Sequence, residues 1–199
     1  MQKPDLNFIR TYKPRLIGEN FVTRSAVCIP LVERADGYDL LFEVRSSKLE
    51  AQPGDICFPG GGIEEGESPK EAALRELCEE LLVSRDNIEI IGETDTFHTE
   101  NIIVYTFAGM LTDYNGTFNQ EVERVFNVPL SFFLENEPEK HKISYELNLG
   151  EDFPYERISG GKNYKWRGRS SVQLFYQYGE YCIWGLTAKL VTAFADLFR

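Results

Sequence analysis

Between Gly54 and Val83 the chain reads GDICFPGGGIEEGESPKEAALRELCEELLV, a glycine-rich loop running into a segment that can only be a helix. Ser68 and Glu71, three residues apart, form a capping box, and Pro69 between them suits the first helical position. From there to Val83 no Gly or Pro interrupts, and Ala, Leu, Glu and Lys, all strong helix formers, dominate. Leu74, Leu77, Cys78 and Leu81 recur at steps of three and four and make a stripe for a core. Glu76, Glu79 and Glu80 recur at the same steps on the neighbouring face.

Three carboxylates on one side of a helix repel one another unless positive charge sits among them. Arg75, four residues from both Glu71 and Glu79, offsets part of this. The rest suits a hard cation: Mg2+ binds through a few carboxylates, keeps several waters and shares substrate phosphates. The PGGG run just upstream lets backbone approach a ligand or metal closely. Taken alone, acidic residues on a helix are usually a solvated face. Behind a glycine loop at this spacing, a metal-binding face is the better reading.

The segment resembles the Nudix box, G-x5-E-x7-R-E-U-x-E-E-x-G-U with U a bulky aliphatic. Gly61, Glu67, Arg75, Glu76, Leu77, Glu79, Glu80 and Val83 fit, whereas Leu82 stands where the family has Gly. That glycine resembles a helix C-terminal residue in left-handed conformation, so the departure bears on the helix exit and not on the acidic face. Upstream, Leu41-Phe-Glu-Val-Arg45-Ser46 and Gly54-Asp-Ile-Cys-Phe58-Pro59-Gly60-Gly61 resemble the signature of coenzyme A diphosphatases, L-L-T-x-R-S-x3-R-x3-G-x3-F-P-G-G. Glu43 replaces its Thr and Glu50 its second Arg. The second change reverses a charge, and Lys48 is the nearby substitute. The stretches 121–130 and 183–188 are also similar to this subfamily, so the resemblance covers about residues 22–135 and 172–198.

By this resemblance, Glu76 and Glu80 are the principal ligands of Mg2+ or Mn2+. Glu79 shares a metal or acts in proton transfer, and the Gly60 carbonyl is a backbone ligand. Gly61 belongs to the substrate-binding loop. Arg75 has two readings, orienting the glutamates or binding phosphate. Glu67 reads as an anchor of the loop and helix start. Glu121 lies where many Nudix enzymes place an extra catalytic or metal-binding carboxylate; the plain alternative is a surface Glu. Arg45 and Lys48 are candidates for contact with an anionic substrate, against a reading as solvated loop cations. His98 has the pKa of a base or phosphate donor, although a histidine at a strand end is more often structural. Lys162, Lys165, Arg167 and Arg169, with Tyr164 and Trp166 among them, form a basic, aromatic tip that either grips a nucleotide or is a solvated hairpin.

Composition narrows the partners. A formal net charge of -11 argues against a non-specific nucleic-acid binder or a binder of anionic membranes. The four cysteines, Cys28, Cys57, Cys78 and Cys182, lack C-x-x-C spacing and fall mostly in apolar segments. They read as reduced, buried thiols of a cytoplasmic protein. No apolar run approaches the ~20 residues of a membrane-spanning helix, and the first residues lack the apolar core of a signal peptide. A homodimer is expected only by family habit.

At 199 residues the chain suits one Nudix domain, with residues 1–20 as an N-terminal extension and 140–178 as a β-hairpin insertion. A short helix or turn is expected over 5–18, broken at Pro14. Strands are expected at 25–32 and 38–44 as a hairpin, at 88–96, 102–111 and 122–128, with a short helix at 131–135. A last helix over 184–198 takes Trp184, Ala188, Val191 and Ala195 as its apolar face. Strands and helices alternate without a βαβ rhythm, which favours an α/β fold with a mixed sheet between helices. The resemblance implies the same α/β/α sandwich. It also implies an enzyme that hydrolyses the diphosphate of coenzyme A or a derivative to 3′,5′-ADP and 4′-phosphopantetheine or its acyl form. The alternatives are a Nudix pyrophosphatase on ADP-ribose or a dinucleotide, and a non-catalytic nucleotide sensor, whose mark would be lost helix glutamates.

Overall fold

The structure, a computed structural model, describes residues 7–13, 18 and 21–199. Strands β1 (Thr23–Arg34) and β2 (Gly37–Arg45) form the expected hairpin, with Leu31 opposite Leu40. Both strands carry β-branched and aromatic residues that alternate between two buried faces. The sheet grows on either side of this pair. Strand β7 (Ile102–Leu111) runs parallel to β1, Thr23 opposite Ile102, and β5 (Ile88–Glu93) and β6 (Phe97–His98) pair antiparallel with β7. Strand β8 (Val122–Pro129) closes the far edge of β2. Two short strands, β3 (Ile56–Cys57) and β4 (Gly60–Gly62), add to β2 and β1. One parallel pairing among antiparallel ones makes the sheet mixed.

Side-chain alternation fixes the layers. Ala26 and Cys28 of β1 and Leu41 of β2 pack with Ala73, Leu77 and Leu81 of helix α1 (Pro69–Leu81). The interleaved Ile29, Leu31, Leu40 and Phe42 face the other way, against α2 (Leu130–Glu135) and α3 (Gly185–Asp196). The result is helix, sheet, helix. A second, antiparallel sheet of β9 (Glu139–Tyr145), β10 (Arg169–Tyr178) and β11 (Tyr181–Trp184) joins the α2/α3 layer through Tyr176 and Ile183. Phe126 of β8 stacks on Tyr181 with centroids 3.6 Å apart, tying the second sheet to the first. Among the described residues no helix is long and apolar enough to cross a membrane.

Several expectations need correction. Trp184 is not in the last helix: it is the final residue of β11, stacked on Phe175 and half-exposed, and Gly185 at φ 64° turns the chain into α3. Ala188, Val191 and Ala195 do form the buried face. The hairpin over 179–180 breaks the helical register that the spacing of these four residues suggests. Strand β5 ends at Glu93 rather than Thr96. The short β3, β4 and β6 have too few residues to show periodicity. Of the cysteines only Cys28 is fully buried, and Cys182 is exposed; all four are free. At the N-terminus a 3-10 turn spans Asn7–Thr11, and the break expected at Pro14 lies outside the described residues.

Helix α1 begins as its sequence dictates. Ser68 Oγ accepts from the Glu71 N–H, and Glu71 Oε2 accepts from the Ser68 N–H at 2.9 Å. It ends at Leu82, which adopts φ 48° and ψ 38°, the left-handed conformation that glycine takes without penalty. Leu82 is more than half exposed, so little burial offsets the strain. A leucine there costs ~1–2 kcal/mol, of which its smaller unfolded-state entropy returns part. Leu82→Gly should therefore stabilise the protein by ~1 kcal/mol, raising the thermal midpoint by about 2–4 °C without altering turnover. A lower midpoint would contradict this account of the helix exit.

Candidate active site

The segment Phe58-Pro59-Gly60-Gly61 docks the glycine loop residue by residue. Phe58 is buried and stacks on Phe42 with centroids 4.5 Å apart, and the Pro59 carbonyl accepts from the Cys28 N–H at 2.9 Å. Because Cys28 and Pro59 form a hydrogen-bonded pair, Gly60, opposite Val27, holds its N–H and C=O away from β1. The N–H donates to Glu80 Oε2 at 2.9 Å. A Cβ on Gly60 would collide with the Ala26 carbonyl and Val27, and a Cβ on Gly61 would overlap the Glu76 carboxylate. Gly60 is needed because the loop lies against β1, and Gly61 because it lies directly against the acidic face of α1.

Arg75 is the organiser of the outer half of that face. Its Nε and Nη2 donate to the two carboxylate oxygens of Glu67 at 3.0 Å each. Nη1 donates to Glu76 at 2.9 Å and to Glu79 at 3.4 Å, and Nη2 also reaches the Gly62 carbonyl at 3.1 Å. All five guanidinium N–H groups thus have protein acceptors. With every N–H so engaged, contact of Arg75 with a phosphate would require breaking or sharing one of these bonds. Glu67 in turn accepts from the Glu64 N–H, so it anchors the loop to the helix, and its carboxyl is held below the usual range by the Arg75 bonds.

The inner half is different in kind. Glu80 is almost fully buried; burial first, then the neighbouring Glu43, push its carboxyl up, opposed by the Gly60 N–H. Glu43, on β2, is buried just as deeply. Burial raises it too, against the Cys57 thiol, whose Sγ donates to Oε1 at 3.2 Å. Its other oxygen, Oε2, has no hydrogen-bond partner. Glu76 is raised by burial and lowered in part by Arg75. Arg45 acts on both Glu43 and Glu80, and its guanidinium Nε donates to the Ala51 carbonyl at 3.4 Å.

Glu121 reaches this group through its loop. The Asn119 N–H donates to the Glu80 carbonyl at 2.8 Å, Asn119 Oδ1 accepts from the Glu121 N–H, and the Glu121 carbonyl accepts from the Ser46 N–H. Its charge bears on Glu43 and Glu76. The structure therefore brings Arg45, Gly60, Gly61, Arg75, Glu76, Glu79, Glu80 and Glu121 to one place. Lys48 is exposed, in no ion pair with a described carboxylate, and its backbone N–H bonds Ser46 Oγ at 3.4 Å. His98 is exposed on β6 opposite Ile103. The sequence reading missed Glu43, Cys57 and Asn119 as parts of the site. For Glu43 a signal existed: period-two alternation puts it on the face of Leu41, the face under α1.

Among the described residues no three His, Cys, Asp or Glu side chains are gathered as a ready metal cage. Mg2+ does not ask for one, since it takes one or two carboxylates and keeps waters for the remaining positions. Glu76, Glu80, the outward Gly60 carbonyl and the orphaned Glu43 Oε2 form an all-oxygen donor set that fits such a cation.

Two outcomes follow for solution experiments. Gly61→Ala should displace the Glu76 carboxylate and lower turnover by about 100-fold, with thermal unfolding near that of the unchanged protein. Turnover within threefold would mean that Glu76 tolerates the shift. The second concerns pH. Glu43 and Glu80 keep protons in the folded state that the unfolded chain has already released, so raising pH favours unfolding. The metal-free protein should lose stability as pH rises from the ordinary carboxylate range through neutrality, and Glu80→Gln should flatten that slope. Denaturant unfolding across pH reads both.

Comparison with known proteins agrees with this geometry. The NUDIX domain family matches residues 22–147. The peroxisomal coenzyme A diphosphatase NUDT7 of Mus musculus is 32% identical over 155 residues, covering 73% of this chain and 65% of the mouse protein. The uncharacterised Nudix hydrolase NudL of Citrobacter koseri is 29% identical over 196 residues, covering 96% of this chain and 91% of its own. The chain spans between 52% and 65% of the length of three similar eukaryotic relatives. A crystal structure of a MutT/nudix family protein from Enterococcus faecalis superposes with a TM-score of 0.52 at 13% identity, over 97% of this chain and 68% of that one, a likeness of fold. The matched domain, the box on α1 and the docked glycine loop together place this chain in the Nudix family.

Proposed function

We propose that this protein is a divalent-cation-dependent Nudix hydrolase that splits the diphosphate of coenzyme A or a derivative into 3′,5′-ADP and 4′-phosphopantetheine or its acylated form. The observation that carries the reading is the Glu80–Gly60 hydrogen bond, which sets the acidic face of α1 against the Phe-Pro-Gly-Gly loop beside Arg45. The coenzyme A signature runs through those same residues, and the similar mouse protein bears the name of a coenzyme A diphosphatase.

A diphosphate between two alkyl groups carries two negative charges that repel an incoming water. A bound Mg2+ or Mn2+ neutralises that charge and acidifies the attacking water. Glu76 and Glu80 would hold the cation, with the Gly60 carbonyl as a further oxygen donor. Arg45, whose guanidinium makes a single long bond to backbone among the described residues, has further N–H groups to offer a phosphate oxygen. Glu79, the exposed member held only by one 3.4 Å bond to Arg75, is placed to accept the water's proton, with Glu121 as the other candidate. Water oxygen bonds to one phosphorus, the bond from that phosphorus to the bridging oxygen breaks, and the proton passes to the carboxylate and on to solvent.

The connection between β9 and β10 offers a place for the nucleotide. Tyr145, Trp166, Arg167 and Arg169 line a cavity of about 1030 Å³ against the 99–101 turn. Arg169 pairs with Glu100 at 2.8 Å, and Tyr164 packs edge-on against Trp166. The 99–101 turn and the glycine loop lie at the same end of β1: the Thr23 N–H donates to the Asn101 carbonyl and the Ile63 N–H to the Arg24 carbonyl. Glu43 and Glu50, the charged departures from the coenzyme A signature, favour a second reading as a pyrophosphatase of ADP-ribose or a dinucleotide.

Turnover of coenzyme A, acetyl-coenzyme A, ADP-ribose, NADH and diadenosine polyphosphates with Mg2+ or Mn2+, resolved by chromatography, separates the two. Release of 3′,5′-ADP from coenzyme A, lost in Glu80→Gln, is the expected result. Faster cleavage of ADP-ribose or a dinucleotide would overturn the substrate and leave the fold. For the hairpin, the Lys165→Ala, Arg167→Ala double variant should weaken coenzyme A at least tenfold more than dephospho-coenzyme A; equal effects would remove the tip from recognition of the 3′-phosphate.

A further inference from the structure

The Nudix box accounts for the carboxylates on α1 but not for the one beneath it. Glu43 sits on β2 two residues after Leu41, which packs against α1 in one cluster with Leu77 and Leu81. At the next step along the strand, where the helix presents Glu80, an apolar residue would complete that packing. The chain has a carboxylate instead, only 1% exposed. One oxygen, Oε1, accepts from Cys57 Sγ across the β2–β3 pair, in which Glu43 lies directly opposite Cys57. The other, Oε2, has no hydrogen-bond partner among the described residues. Its electrostatic neighbours are Glu80, Glu76 and Glu121, and the one fixed cation acting on it, Arg45, forms no ion pair with any described carboxylate. A buried carboxylate oxygen facing other carboxylates is costly to maintain unless a positive partner joins it.

We propose that Glu43 is a carboxylate of the divalent-cation site supplied by the sheet, its Oε2 and Glu80 sharing one cation between β2 and the last turn of α1. The Cys57 thiol orients it, fixing Oε1 so that Oε2 turns inward, as outer partners commonly orient a metal-binding group. Position 43 carries threonine in the coenzyme A signature, so this carboxylate departs from that signature and adds a negative charge to the donor set. The inference rests on reading the face of α1 as a cation site.

The test is Mn2+ titration of the whole protein, reading free Mn2+ by electron paramagnetic resonance, alongside thermal unfolding without metal. Four proteins are compared: the unchanged chain, Glu43→Gln, Glu43→Thr and Glu80→Gln. Both Glu43 variants should bind Mn2+ about tenfold or more weakly. Without metal both should unfold at a higher temperature, because a carboxylate facing like charges has been removed; this also establishes that they fold. If Glu80→Gln weakens Mn2+ and both Glu43 variants bind it within twofold of the unchanged chain, Glu43 is only a buried acid bonded to Cys57 and the proposal fails. If Glu80→Gln itself leaves Mn2+ binding unchanged, the reading of α1 as a cation site falls first, and this inference with it.

Discussion

Glu80 is pinned at both ends. Its carboxylate takes the Gly60 N–H and its backbone carbonyl takes the Asn119 N–H. Two loops distant in sequence are thereby fixed to the last turn of one helix, one bringing glycine backbone and the other Glu121. The remaining geometry follows from these two bonds. A helix carboxylate buried this deeply needs a donor, and it finds the Gly60 N–H, while the Asn119 N–H takes the backbone carbonyl of the same residue. Stability and site assembly are consequently the same interaction here, so a substitution at Glu80 should be expected to disturb both.

Charge is divided unevenly across α1. On the outer side Arg75 directs every donor to Glu67, Glu76, Glu79 and Gly62, bonding all three carboxylates and offsetting part of their charge. On the inner side Glu80 and Glu43 have only a distant Arg45, a thiol and one peptide N–H. The division explains why one helix face can hold four carboxylates with Glu67 and still fold. The glycine loop meets both parts, through Gly61 and Gly62 on the outer side and through Gly60 on the inner one, where positive charge is shorter.

Much of this was readable beforehand because it is local. The capping box at Ser68 and Glu71, the stripe through Leu77 and Leu81, and the β1–β2 hairpin depend on neighbours within a few residues, and their signals lie in adjacent letters. The two glycines at 60 and 61 were legible as a flexible loop but not as one packed against β1 at Gly60 and against Glu76 at Gly61, because those contacts join the loop to a strand and a helix. Glu43 escaped notice because it read as a departure from a pattern; its meaning depends on Cys57 and Glu80, which only the pairing of β2 with β3 and the packing of α1 bring near. Trp184 misled because an apolar residue four before Ala188 fits helical spacing, while the turn at 179–180 and the left-handed Gly185 had already set it in a strand.

The arrangement of the layers has a bearing on synthesis. Every strand of the first sheet lies between Thr23 and Pro129, so that sheet can pair as soon as those residues are made. One of its faces is covered early by α1. The other, with Ile29, Leu31, Leu40 and Phe42, waits for Tyr176, Ile183 and the buried face of α3, which come from the last part of the chain. At ~5–20 residues per second the ribosome leaves this apolar surface open for several seconds. A nascent chain of this kind would be a natural client for chaperones that shield hydrophobic sheet surface, and a premature stop before α3 would leave a paired sheet with half its core exposed to neighbours.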